Sequence, residues 1–219
     1  MANLPKQPHI LIIPFPAQGH MLPLLDLTHH LATHGLTITI LVTPKNLPII
    51  NPILSSSPNI HSFVLPFPHH PALPAGVENV KDIGNHGNIS IVKSLANLQT
   101  PIIEWFNSHS NPPVAIIYDF FLGWTQHLSN KLGIHRICFF SSGAFLISVL
   151  GYAMRNISSV RSNKTMTVFH DLPDSPSFAW EHLPSLVRAY KESDPDWEFI
   201  VDGHIANESS ELGLGCEHF

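Results

Sequence analysis

His20 and Asp119 are the two side chains in this sequence whose settings suit proton transfer. His20 closes the run His9-Ile-Leu-Ile-Ile-Pro-Phe-Pro-Ala-Gln-Gly-His20, in which an apolar stretch breaks at a proline pair and delivers a histidine to the head of the next element. Asp119 closes Val114-Ala-Ile-Ile-Tyr-Asp119, a second apolar stretch, entered from Pro112-Pro113. If the two stretches lie side by side, the carboxylate can accept a hydrogen bond from one imidazole nitrogen and leave the other free as a base. That is the base and orienter of a triad, with the nucleophile left for the substrate to bring. Other readings stay open at this point. The chain holds 16 histidines, so His20 also fits an ordinary surface position, and Asp119 also fits a helix N-cap.

The elements that must position this pair follow from local pattern. Ile10 to Ile13 is a continuous aliphatic run, as expected of a central parallel strand buried on both faces, and Pro14 and Pro16 end it. Met21 to His34 carries Leu22, Leu25, Leu27 and Leu31 at helical spacing, with Pro23 in a first turn that tolerates it. Strands are predicted near 9–14, 37–43, 60–65, 114–118 and 135–140. Helices are predicted near 20–34, 45–54, 88–108, 122–132, 143–155 and 192–205. This alternation predicts an α/β fold, a Rossmann-like parallel sheet with helices on both faces and right-handed crossovers. His20 and Asp119 then sit at the carboxyl edge of the sheet, where open α/β folds place ligands. Pro66 to Gly87 reads as a long loop, and Ser158 to Pro184 as an irregular excursion.

Hydrophobic residues make up 44% of the 219 residues and charged ones 12%, a balance that fills a core and argues against disorder. No apolar run is long enough to span a bilayer, and the start Met-Ala-Asn-Leu-Pro-Lys lacks the order of a signal peptide, which predicts a cytoplasmic protein with no membrane partner. A net charge of −5 without a Lys/Arg cluster gives no footprint for nucleic acid. Cys138 reads as a core residue and Cys216 falls in the tail, so no structural disulfide is expected. The Asn-X-Ser/Thr matches at Asn88, Asn156, Asn163 and Asn207 carry no weight without secretion.

Pro14-Phe-Pro-Ala-Gln-Gly-His20, followed by Met21-Leu-Pro-Leu-Leu-Asp-Leu27, resembles the amino-terminal signature of the plant UDP-sugar-dependent glycosyltransferases, GT-B enzymes that glycosylate small molecules. Gly35-Leu-Thr-Ile-Thr-Ile-Leu-Val-Thr-Pro44, Ile117-Tyr-Asp-Phe-Phe-Leu-Gly-Trp124 and Cys138-Phe-Phe-Ser-Ser-Gly-Ala144 agree in order and spacing. The likeness extends to about residue 207 and is greatest to the subgroup acting on flavonols and related phenolics. It implies the amino-terminal half of a GT-B fold and an inverting transfer of a sugar, glucose by expectation, from a UDP-sugar to an acceptor hydroxyl. His20 would be the base and Asp119 its orienter. Phe15, Gly19, Phe121, Ser141 and Ser142 would contact substrate, with the two phenylalanines as flat walls for an aromatic acceptor, although the two phenylalanines equally suit core packing and Ser142 a helix cap. The UDP-sugar would be a co-substrate, with no resident cofactor and no metal, and the 66–87 loop one wall of the acceptor pocket.

The same resemblance implies an acceptor domain over residues 1–207, a divergent tail over 208–219, and no match to the donor-binding signature box of the family's second domain. Glu208-Ser-Ser-Glu-Leu-Gly-Leu-Gly-Cys-Glu-His-Phe219, with two glycines and a charged end, reads as a poor strand. A rival expectation is therefore a non-catalytic fragment that binds acceptor or joins a full-length relative, with an uncovered interdomain face that invites self-association. A dinucleotide oxidoreductase would need Gly-X-Gly-X-X-Gly after the first strand, where this chain has Pro-Phe-Pro-Ala-Gln-Gly. His29, His30 and His34 could suggest a metal site, but no Glu stands between His30 and His34 as it does in zinc hydrolases.

Overall fold

A computed structural model describes residues 7–208 and 212–215. Among these residues the strands are β1 (His9–Ile13), β2 (Thr37–Val42), β3 (Ile60–Val64), β4 (Ala115–Asp119), β5 (His135–Phe140), β6 (Met166–Val168), β7 (Ser177–Ala179) and β8 (Leu212–Gly215). The helices are α1 (Gln18–Thr33), α2 (Leu47–Ser56), α3 (Asn88–Ala96), α4 (Gln99–Ser108), α5 (Thr125–Leu132), α6 (Ala144–Arg155), α7 (Ile157–Ser162), α8 (Ser185–Ala189) and α9 (Pro195–Glu208).

The main sheet has the order β3-β2-β1-β4-β5-β8, with every pair parallel. Its two faces bury alternate residues of each strand, as a pleated strand requires. Leu11, Ile13, Leu41, Ile116, Tyr118 and Cys138 meet one apolar layer that includes α3, α4 and α6 residues. Ile10, Ile12, Ile38, Ile40 and Ile117 meet the other, built on Met21, Leu24 and Leu25 of α1 and Ile50 of α2. The expected α/β class and doubly covered parallel sheet are what the chain adopts.

Strand order reverses between β1 and β4, and this is the topological switch point where open α/β sheets form a crevice. Register sets Ile13 of β1 opposite Tyr118 of β4, so the residues that follow both strands emerge side by side.

Three expectations change. The helix predicted over 88–108 divides into α3 and α4 at Asn97-Leu98. Pro101 has no N–H to give the Asn97 carbonyl, and it is tolerated in the first turn of the new helix. The excursion at 158–184 is less irregular than expected, since it holds the end of α7 and the antiparallel β6–β7 hairpin. The poor strand is a strand after all: Leu212–Gly215 pairs along β5, with Ile137 opposite Leu212 and Phe140 opposite Gly215. The open edge of β5 supplies hydrogen-bond partners, which outweigh the weak strand propensity of glycine. Cys138 is a fully buried free thiol, whereas Cys216 and the first six residues lie outside the described residues.

Candidate active site

β1 ends at Ile13, and the Pro14–Ala17 turn leads directly into α1, whose third residue is His20. The turn is fixed by Ala17 N–H donating to the Phe15 carbonyl at 2.8 Å, and by His20 N–H donating to the Ala17 carbonyl at 3.0 Å. Asp119 is the last residue of β4 and is wholly buried. Its Oδ2 lies 2.8 Å from His20 Nδ1, and its Oδ1 accepts the Phe121 N–H at 3.0 Å. Both carboxylate oxygens are thus committed, one to the imidazole and one to the local turn. The backbone bond from Leu122 N–H to the Asp119 carbonyl closes that turn at 2.8 Å. Asp119 therefore caps this turn and not α5, which begins at Thr125 after Trp124.

Because an ionised carboxylate only accepts, Nδ1 is the protonated nitrogen of neutral His20, and Nε2 is left with its lone pair. The side chain is 20% exposed, enough for a ligand to reach it. Its ring is held by a cage of three phenylalanines. Phe120 stacks on it at 5.4 Å, Phe121 lies tilted at 5.1 Å and Phe15 meets it edge-on at 5.3 Å. Such contacts fix the imidazole plane and keep water from its faces. Ser141, in the turn after β5, places its Oγ 3.3 Å from His20 Nδ1.

The structure therefore gathers His20, Asp119, Phe15, Phe121 and Ser141 at one point. Two assignments shift in detail. Phe15 is completely buried, so it backs the imidazole and does not present an open wall, whereas Phe121 keeps partial exposure. Ser142 does not cap α6: the cap residue is Gly143, without a side-chain bond. Gly19 sits exposed at the mouth, with open space where a side chain would project.

Sequence reasoning missed Phe120, although it adjoins Asp119, and it missed what holds the 66–87 loop in place. Val80 N–H donates to the Pro16 carbonyl at 3.0 Å, tying that loop to the His20 turn. Buried Asn46 anchors the loop's other side, donating to the Glu78 carbonyl at 2.9 Å and accepting from Asn79 Nδ2 at 2.7 Å. Asp82 adds a capping box on Asn79 and an ion pair with Lys45 at 2.9 Å. Burial raises the affinity of the Asp82 carboxyl for its proton, but Lys45 and the Glu78 and Asn79 N–H groups outweigh it and hold its pKa below the ordinary value. The sequence signal was the Asn79-X-X-Asp82 spacing.

Comparison with known proteins shows what the chain is similar to. The chain is 53% identical to UDP-glycosyltransferase 89A2 of Arabidopsis thaliana over 199 residues, 90% of the chain and 43% of that protein. It is 45% identical to flavonol 3-O-glucosyltransferase UGT89B1 of the same plant over 214 residues, 95% of the chain and 44% of that protein. The chain matches the amino-terminal half of plant UDP-glycosyltransferases and spans less than half the length of these relatives.

Among solved plant UDP-glycosyltransferases, Arabidopsis thaliana UGT89C1 complexed with quercetin superposes with a TM-score of 0.64 at 37% identity, covering 67% of this chain and 38% of that one. The same enzyme has been solved complexed with UDP-L-rhamnose. Apo UGT2 of Phytolacca americana gives a TM-score of 0.73 at 20% identity, over 95% of this chain and 45% of that one, a likeness of fold alone. No protein-family model matches the chain. Among the described residues no helix is long and apolar enough to cross a membrane, and no group of three or more His, Cys, Asp or Glu side chains could hold a metal ion.

Proposed function

We propose that this chain provides the acceptor side of an inverting glycosyl transfer, from a UDP-sugar to a hydroxyl of a phenolic or flavonoid acceptor. The observation that carries the reading is the buried Asp119 carboxylate against Nδ1 of a half-buried His20, in a chain 45% identical to a flavonol 3-O-glucosyltransferase. The acceptor hydroxyl would point at Nε2. An imidazole is too weak a base to deprotonate a phenol outright, so the proton leaves as the oxygen attacks the anomeric carbon. Asp119 keeps Nδ1 protonated and stabilises the imidazolium that forms. Phe121 would offer the acceptor an aromatic surface, and the pinned 66–87 loop one wall of its pocket. Ser141 and Ser142 would stand toward the sugar, and Gly19 would leave the mouth open.

Glucose is the proposed sugar and the UDP-sugar the co-substrate, with no resident cofactor, and the cytoplasm is the proposed site of action. Residues 1–207 form the proposed acceptor domain, to whose sheet β8 adds an edge. Phe145, 57% exposed, and Leu146, 46% exposed, open α6 just after Ser141 and Ser142, and would face a donor half or a second copy of the chain.

A second reading is a unit that binds acceptor, or joins a full-length relative, without turning acceptor over alone; the exposed Phe145 and Leu146 at the head of α6 favour it. One experiment addresses both. Transfer from UDP-glucose to quercetin is assayed with the 219-residue chain alone and with the chain joined to the carboxyl-terminal half of UDP-glycosyltransferase 89A2, each with and without His20→Ala. The proposal expects turnover in the joined protein that falls by about 10²–10⁴-fold in the variant. Turnover untouched by His20→Ala would refute it, and turnover by the chain alone would refute the second reading.

A further inference from the structure

At the end of β1 opposite to His20, a cavity of about 290 Å³ opens between the amino-terminal edge of β1, β2 and β3 and the end of α4. Its floor is built. His9 is 1% exposed, with Nδ1 2.6 Å from the Asn111 carbonyl and Nε2 2.8 Å from Thr39 Oγ1, which is itself buried. The carbonyl can only accept, so Nδ1 carries the proton and Nε2 accepts from the threonine hydroxyl.

The walls are differently equipped. Thr37, His61 and Ser62 line the cavity and make no side-chain hydrogen bond with any described residue. His109 Nδ1 accepts the Asn111 N–H at 3.1 Å, which turns its other nitrogen into an available donor. Trp105 adds an apolar flank, its indole braced by a stacked Phe63 at 4.6 Å. Two hydroxyls, two imidazoles and an indole thus converge on a space at the small end of ligand-pocket volumes. No Lys, Arg, Asp or Glu lines it, so neither an anion nor a cation would find a countercharge. Alternating neutral donors and acceptors beside an aromatic surface suit a ligand that is rich in hydroxyls and has an apolar face.

We propose that this cavity is a second ligand site, separate from the His20 edge, that takes one neutral polyhydroxylated ring such as a monosaccharide. The ring lies against Trp105, and its hydroxyls bond to Thr37, Ser62, His61 and His109. With few contacts and a ligand of about a dozen heavy atoms, affinity falls in the millimolar range.

The test uses the intact chain and D-glucose as probe, followed by saturation-transfer NMR and by the indole N–H resonances of the tryptophans. Glucose is expected to receive saturation and to shift Trp105 while leaving Trp124, buried at the other end of the sheet, in place. Quercetin is expected not to displace it. The double variant Thr37→Val, Ser62→Ala replaces one hydroxyl isosterically and one on an exposed strand residue, and should weaken binding about tenfold without altering the melting temperature. The site is overturned if glucose neither receives saturation nor shifts Trp105, or if quercetin competes with it. It is equally overturned if a folded double variant binds glucose as well as the parent, or if benzoate binds there in preference to glucose.

Discussion

His20 Nδ1 and Asp119 Oδ2 stand 2.8 Å apart although 99 residues separate them in sequence. The pairing of β1 with β4 brings them together: with Ile13 opposite Tyr118, Asp119 is the next residue of β4, and the turn after β1 folds His20 back over it. The carboxylate has no exposure, so the N–H groups of the His20 imidazole and of Phe121 stand in for the water it lacks.

Asp119→Asn should preserve the packing and lose the function. The amide can offer its N–H₂ to Nδ1, which moves the imidazole proton to Nε2 and removes the free lone pair. In a protein joined to a donor half, kcat for quercetin should drop by about 10²–10⁴-fold with little change in KM. A change in KM alone would show that Asp119 only shapes the pocket.

The loop over 66–87 should depend on the buried Asn46–Asn79 pair. Asn79→Ala leaves the Asn46 side-chain oxygen without its partner in a dry setting, which costs about 1–3 kcal/mol. Chemical denaturation should report that loss. Quercetin should bind more weakly, because the same loop is tied to the His20 turn through Val80 and Pro16.

Gly123 has no room for a side chain. A Cβ there would overlap the backbone of Gly203 in α9, whereas Gly203 itself has ordinary clearance to Gly123. Gly123→Ala should push α9 outward at a cost of about 1–3 kcal/mol, and Gly203→Ala should cost less. Equal melting temperatures for the two variants would contradict this packing.

Stability should fall in mild acid because of His9. Burial is the main cause that lowers its pKa below the ordinary 6.5, aided by His109 and His61 and opposed by the bond to the Asn111 carbonyl. The unfolded chain therefore binds this proton at a higher pH than the folded one. The stabilising contribution is complete above about pH 6.5 and is lost as pH falls from there through the lower folded value. The melting temperature should decline across this window, and His9→Gln should flatten the decline. Asp82, whose pKa is also lowered, acts in a separate window below its ordinary 3.8.

β1 to β5 and the pairing of His20 with Asp119 were legible in the sequence because they rest on local signals, above all an apolar run stopped by proline or by Asp, whereas the β6–β7 hairpin carried no such signal. The division of α3 from α4 was also written locally, in Pro101, but the strong helical period on either side concealed it. β8 was illegible for a different reason, since its stability comes from the open edge of β5 and not from Leu-Gly-Leu-Gly. Likewise, that Phe15 is buried behind His20 while Phe121 stays partly open depends on how three aromatic rings pack, which no spacing encodes.

The proposed transfer requires that an acceptor hydroxyl be delivered to Nε2 of His20. The most direct measurement is a quercetin titration of the chain labelled at its histidine rings, with His20 assigned by its loss in His20→Ala. Quercetin should bind saturably and shift the His20 Nε2 and ring-carbon resonances while those of His9, at the far end of β1, stay fixed. Saturable binding that leaves His20 unmoved, or no binding by the folded chain, would contradict it.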